Sequence, residues 1–247
     1  MLNHLKAIFY GLKDHDAFCG LMQSAISQIR VQKGIFTGDN LLAFGRNLSF
    51  LEDAPLMDAY NKHAGEPEEQ AALWRTAVNA YFAKRSMGLE GDIVECACYR
   101  GTTSRIICDY VDFGQSDKEM WLYDLFEHQD GMVHHAMPTH GSGLYDFVRD
   151  RFSELANVHV IKGEVPAILA DHAPEKVAHL HLDLNDVGAE LGALEFFYDR
   201  VVPGGSIILD DYGWLAYREQ KLAEDKWLAG RGVSVLELPT GQGLLIK

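Results

Sequence analysis

Five carboxylates stand where short apolar runs of this sequence end: Glu95, Asp124, Asp183 and the adjacent pair Asp210 and Asp211. If those runs are neighbouring strands, their acids converge on one rim. Three carboxylates crowded together repel, and a hard divalent cation is the simplest remedy. Oxygen-only ligation by Asp183, Asp210 and Asp211 suits Mg²⁺ or Mn²⁺ rather than zinc. The same aspartates could instead cap helices with no metal present. Asp124 closes a second run, where a carboxylate can accept hydrogen bonds from both hydroxyls of a ribose. It could also cap a helix or face solvent. His181 shares the strand face of Asp183 and is a second candidate for proton transfer, with a satisfied core histidine as the alternative. His134, His135 and His140 fall in a Gly- and Pro-containing stretch, 127–143, whose length suggests a lid or substrate wall.

The elements that must position these groups follow from hydrophobic periodicity. From Gly91 onward, short apolar runs alternate with helical stretches. Strands are expected at Ile93–Cys98, Met120–Tyr123, Val158–Ile161, Ala178–Leu182, Ser206–Leu209, Val233–Leu238 and Gly243–Ile246. Helices are expected at Thr102–Tyr110, Leu144–Ala156, Pro166–His172, Val187–Val201 and Trp214–Ala229. Alternation of this kind implies a doubly wound α/β sheet with parallel pairing, which binds ligands beyond the carboxyl ends of its strands. The last two strands are joined only by Pro239-Thr240-Gly241-Gln242, too short for a crossover, so they should pair antiparallel. Residues 1–90 read as a helical extension and 91–247 as the core. Gly34–Glu52 reads as a loop or turn between helices.

The first strand and turn, Ile93-Val94-Glu95-Cys96-Ala97-Cys98-Tyr99-Arg100-Gly101-Thr102-Thr103-Ser104, carry small residues and a glycine that opens a helix. The dinucleotide pattern Gly-x-Gly-x-x-Gly is absent, which disfavours a pyrophosphate cofactor. Hydrophobic residues make up 47% of the 247, enough for a large core, and the net charge is −14. That charge argues against nucleic acid and against anionic membrane surfaces as partners. No run approaches a membrane span, and Met1 to Tyr10 is too mixed for a secretory signal. The four cysteines fit neither a zinc site nor a redox pair and read as free thiols of a cytoplasmic protein.

Taken in order, Gly91-Asp92-Ile93-Val94-Glu95-Cys96 with Arg100-Gly101, Tyr123-Asp124-Leu125-Phe126-Glu127, Val160-Ile161-Lys162-Gly163, His181-Leu182-Asp183-Leu184, Val202-Pro203-Gly204-Gly205-Ser206 with Asp210-Asp211-Tyr212-Gly213, and Gly241-Gln242-Gly243 resemble the macrocin O-methyltransferase family. The resemblance covers residues 91–247. It implies a class I methyltransferase, Rossmann-like sheet of seven mostly parallel strands with the last antiparallel. It implies S-adenosylmethionine as methyl donor, with contacts from Glu95, Ala97, Arg100, Gly101, Ser104, Asp124, Phe126, Gly163, Glu164 and Asp183. It also implies Mg²⁺ on Asp183, Asp210 and Asp211, with Asp183 as proton acceptor. A small hydroxylated acceptor such as a sugar follows by resemblance, and so does a role for the N-terminal helices as substrate wall and homodimer contact. Two departures stand out. The family usually has glycine at the position of Ala97, and it continues Leu-Asp-Leu-Tyr where this chain reads Leu184-Asn185-Asp186-Val187. Two rival readings remain on the same fold: a non-catalytic S-adenosylmethionine-binding protein, and a metal-dependent hydrolase or hydroxylase.

Overall fold

The computed structural model describes residues 8–31, 33–132 and 135–247. The chain falls into two units, Met1–Ala77 and Val78–Lys247.

The first unit contains α1 (His15–Ser27), a hairpin of β1 (Phe36–Gly38) and β2 (Leu41–Ala43), α2 (Ala54–His63), α3 (Pro67–Ala71) and the start of α4 (Leu73–Ser86). Asp14 and Asp53 cap α1 and α2 by accepting the N–H groups of Ala17 and Leu56. The hairpin lies where the sequence suggested only a loop. Its turn residues Asp39 and Asn40 both take left-handed φ values, 54° and 56°, the geometry that tight hairpins need. Phe36 is buried there against Trp74 and Phe50.

The second unit holds β3 (Asp92–Cys96), α5 (Thr102–Tyr110), β4 (Met120–Asp124), α6 (Leu144–Arg151), β5 (Val158–Lys162), β6 (Val177–Leu182), α7 (Val187–Tyr198), β7 (Val201–Leu209), α8 (Arg218–Ala229), β8 (Leu236–Glu237) and β9 (Gly243–Ile246). The strands form one sheet in the order β5-β4-β3-β6-β7-β9-β8, in which β9 alone runs against the others. This is the doubly wound, seven-stranded sheet expected from the sequence. Several expected elements are shorter, among them the helix expected at Leu144–Ala156, which ends at Arg151, and the helix expected at Trp214–Ala229, which begins at Arg218. The strand expected at Val233–Leu238 is reduced to two residues. The helix expected at Pro166–His172 is a 3-10 turn, Ala167–Ala170. The helix expected to reach Val201 stops at Tyr198, because Val201 already pairs with Val177 in the sheet. Among the described residues no helix is long and apolar enough to cross a membrane.

Register decides which side chains meet. Glu95 pairs with His181 and Leu122, and His181 pairs with Ile208. Side chains alternate along a strand, so Glu95, His181 and, two residues on, Asp124, Asp183 and Asp210 belong to one face. The opposite face carries Val94, Cys96, Leu180, Leu182, Ile207 and Leu209, which pack with Leu194 and Phe197 of α7 and Leu228 of α8.

Two acids are buried on that apolar side. Glu190 on α7 and Glu224 on α8 are both fully buried. Burial pushes the Glu190 carboxyl up to about 8. Burial and then the nearby Glu190 push Glu224 up to about 9. Both start from an ordinary value near 4.5, so each favours folding fully below that value and progressively less as pH climbs through 8 and 9. The melting temperature should therefore fall between pH 6 and 9, by about 5 °C or more. Thermal melts of the Glu224→Gln protein should show about half of that slope gone, with Glu190 keeping the rest; an unchanged slope would place its origin elsewhere.

Candidate active site

The loop that leaves β3 shapes the cofactor side of the site. Ala97, Tyr99 and Gly101 all have positive φ, at 65°, 48° and 67°. A Cβ at Gly101 would lie 2.7 Å from the Phe152 ring, so both backbone angle and space require glycine there. Ala97 holds a left-handed angle that glycine adopts at less cost, which gives the family's usual glycine a physical reason. The tight path is held by the Ala97 and Cys98 N–H groups, both donating to Tyr123 O.

Asp124 ends β4 inside this loop. Its Oδ2 accepts the Tyr99 N–H at 2.7 Å and its Oδ1 accepts the Phe126 N–H at 2.5 Å. Two backbone bonds fix the carboxylate's direction. Beside it opens a cavity of about 430 Å³. Of the residues expected from the sequence, Ala97, Asp124, Gly163, Glu164 and Asp183 line it. A Cβ at Gly163 would meet Ile168 at 2.7 Å.

Of the other residues expected to contact the cofactor, Glu95, Arg100, Gly101, Ser104 and Phe126 do not line it. Glu95 and Ser104 are buried and bonded to each other, Oγ donating to Oε2. Phe126 contributes its N–H to Asp124 while its ring is buried against Tyr145. The Arg100 guanidinium lies over the Phe147 ring, 4.9 Å from its centre. His135 and His140 line the cavity; His140 sits edge-on to Tyr99, whose hydroxyl accepts from the Thr139 backbone and side chain. His134 lies outside the described residues.

Beneath the cavity floor, a chain of polar groups crosses three strands. His181 Nδ1 is 3.0 Å from Glu95 Oε1, and Nε2 is 3.2 Å from Asp210 Oδ1. Burial opposes its charge, but the bonds to Asp210 and Glu95 outweigh that and hold its pKa well above the ordinary value. An imidazolium with both N–H groups engaged by carboxylates has no site for another proton, so this geometry does not favour His181 as a base. Asp210 Oδ1 also accepts from Gln242 Nε2 at 2.8 Å, and the Asn79 carboxamide nitrogen lies 3.3 Å from His181 Nε2.

The expected metal set divides. One ligand atom each from His181, Asp183 and Asp210 lie within 4.8 Å of one another. Asp211 is not part of that cluster; its charge instead raises the carboxyls of Glu190 and Glu224. Asp183 and Asp210 supply the oxygen atoms a hard cation prefers. Glu95, Asp183 and Asp210 face a single imidazolium, which leaves an excess of negative charge at the rim. The residues present thus fit a divalent cation held by Asp183 and Asp210.

Tyr99, Asn79 and Gln242 were missed as contributors. Gln242 lies within a Gly-Gln-Gly fragment already singled out, but nothing in the fragment shows its reach to Asp210. Asn79 carries no sequence signal beyond a polar residue on an amphipathic helix.

Strand order, the single reversed strand and an acidic rim at the switch point between β3 and β6 define the class I methyltransferase fold. Residues 77–234 match the profile of the macrocin-O-methyltransferase (TylF) family, and the chain belongs to that family. It is an S-adenosylmethionine-dependent O-methyltransferase. Solved structures of similar fold include the O-methyltransferase NovP, 19% identical over 72% of this chain and 81% of that one, with a TM-score of 0.61. CalS11, a TDP-rhamnose 3'-O-methyltransferase of calicheamicin biosynthesis, is 12% identical over 98% of both chains, with a TM-score of 0.55. The S-adenosylhomocysteine-bound methyltransferase PaMTH1 of Podospora anserina is 13% identical over 96% of this chain and 98% of that one, with a TM-score of 0.52. Comparison with curated proteins gives no match.

Proposed function

We propose that this enzyme methylates a hydroxyl of a sugar or similarly hydroxylated small molecule, with Asp183 as proton acceptor and Asp183 and Asp210 as holders of Mg²⁺. One observation supports the reading: Asp124, at the end of β4, and Asp183, just past β6, line the same cavity of about 430 Å³. Asp124 binds the ribose hydroxyls of the donor and fixes its orientation. The buried Glu95, bridged to Asp210 through His181, keeps the field at the rim negative, which suits a sulfonium. Bound S-adenosylmethionine would supply the methyl group to the acceptor oxygen and leave as S-adenosylhomocysteine. Asp183 takes the proton that this oxygen loses. Bound Mg²⁺ would lower the pKa of the acceptor hydroxyl. Holding oxygen, carbon and sulfur in line supplies much of the rate.

A nucleotide-activated sugar is the acceptor class to try first, because CalS11 shares the fold over nearly its whole length. The test is a radiometric methyl-transfer assay over a panel of thymidine-diphospho-deoxysugars, with and without EDTA, beside calorimetric titration of S-adenosylhomocysteine. Micromolar binding and EDTA-sensitive transfer to a sugar hydroxyl are expected. Absence of S-adenosylhomocysteine binding would remove the cofactor assignment, and transfer undiminished by EDTA would remove the metal.

A further inference from the structure

The peptide that follows Asp183 has left the sheet. The Asp183 N–H still donates to Cys96 O at 3.1 Å, the last rung between β6 and β3. The next N–H, of Leu184, has no strand to bond. It donates instead to Glu190 Oε2 at 2.9 Å, from the first turn of α7. Between them the chain makes a tight turn: Asn185 has φ 56°, and Asp186 caps α7 by accepting the N–H of Ala189 at 2.7 Å. Leu184, Asn185, Asp186 and Ala189 line the cavity, whereas Glu190 does not.

Glu190 is an expensive residue for this place. It is fully buried on the side of α7 that faces the apolar core, and its Oε1 has no hydrogen-bond partner. A carboxyl in that position costs stability relative to a methionine or leucine of similar size. The Leu184 N–H is what the acid gains in exchange. Such a trade of stability for geometry is usual beside reacting groups.

We propose that Glu190 is a positioning residue: by holding the Leu184 N–H from inside the fold, it fixes the turn that aims Asp183 into the cavity. This rests on the reading of Asp183 as proton acceptor. Because burial keeps the Glu190 carboxyl largely protonated at neutral pH, its carbonyl oxygen makes the bond, and a glutamine carbonyl can replace it.

Three proteins test this: wild type, Glu190→Gln and Glu190→Met. Hydrogen exchange of peptides spanning residues 183–186 should speed up by about ten-fold or more in the methionine variant, since the amide loses its acceptor. Its kcat with the acceptor found above should fall by about 10- to 100-fold, the effect of a slightly misplaced reacting group. Its melting temperature should hold or rise, and its affinity for S-adenosylhomocysteine should stay within about three-fold. Glu190→Gln should restore both slow exchange and turnover. A purely structural role predicts the reverse order, with the melt lowered and kcat spared.

Wild-type exchange rates in the methionine variant would overturn the proposal, as would a glutamine variant that exchanges as fast as methionine. If the methionine variant does not fold, Glu190→Asp, which keeps the acid but shortens its reach, must show the fast exchange. If wild type neither binds S-adenosylhomocysteine nor transfers methyl, the proposed function fails, and exchange at Leu184 still decides whether Glu190 holds the turn.

Discussion

Asp183→Asn is expected to lower kcat for methyl transfer by about 1,000-fold or more while leaving S-adenosylhomocysteine affinity within about three-fold. Asparagine has nearly the same shape, so the cavity and the turn through Leu184 survive. What it lacks is the ability to take a proton and the charge to share a cation. A missing base alone costs about 100- to 10,000-fold, and loss of a metal ligand adds to that. The Asn185 carboxamide nitrogen donates to Asp183 Oδ1 at 3.4 Å, a bond that an asparagine oxygen can keep. Single-turnover radiometric assays give the chemical step directly. Activity within ten-fold of wild type would sink Asp183 as the reacting carboxylate and move attention to Asp210.

Asp124→Ala should act on the other half of the reaction. S-adenosylhomocysteine affinity is expected to weaken by about 100-fold, or about 2.7 kcal/mol, measured calorimetrically. Two contributions add. The ribose hydroxyls lose a charged acceptor, and the N–H groups of Tyr99 and Phe126 lose the oxygens that now bind them. The second loss loosens the turn through Tyr99, whose hydroxyl also anchors Thr139 in the long stretch beside the cavity. A donor affinity unchanged by this substitution would mean that the nucleoside lies elsewhere.

Much of this is legible in the sequence. The sheet was readable because alternating apolar runs and helices leave few topologies, and a four-residue link between the final strands dictates a hairpin. The acids at the strand ends were readable because open sheets place ligands there. Side-chain partnership was harder. Nothing in the sequence pairs Glu95 with His181, since strand register depends on packing of the whole sheet. Asp210 and Asp211 look equivalent as neighbours in sequence, yet only Asp210 joins the cluster with His181 and Asp183. Glu190 is an acid in the first turn of a helix, and only the structure shows it buried. The hairpin of β1 and β2 was hidden because each strand has only three residues, too few for a periodic signal.

The reversed direction of β9 has a practical side. A parallel strand would bring its exit to the reactive rim, but β9 brings its entrance, and Gln242 therefore arrives beside Asp210. Its exit lies at the other end, where the Lys247 N–H donates to Gly205 O at 2.9 Å and its carbonyl accepts from Gly204. Whatever is joined to the chain beyond β9 therefore leaves from the end of the strands remote from the chemistry, where it does not obstruct substrate.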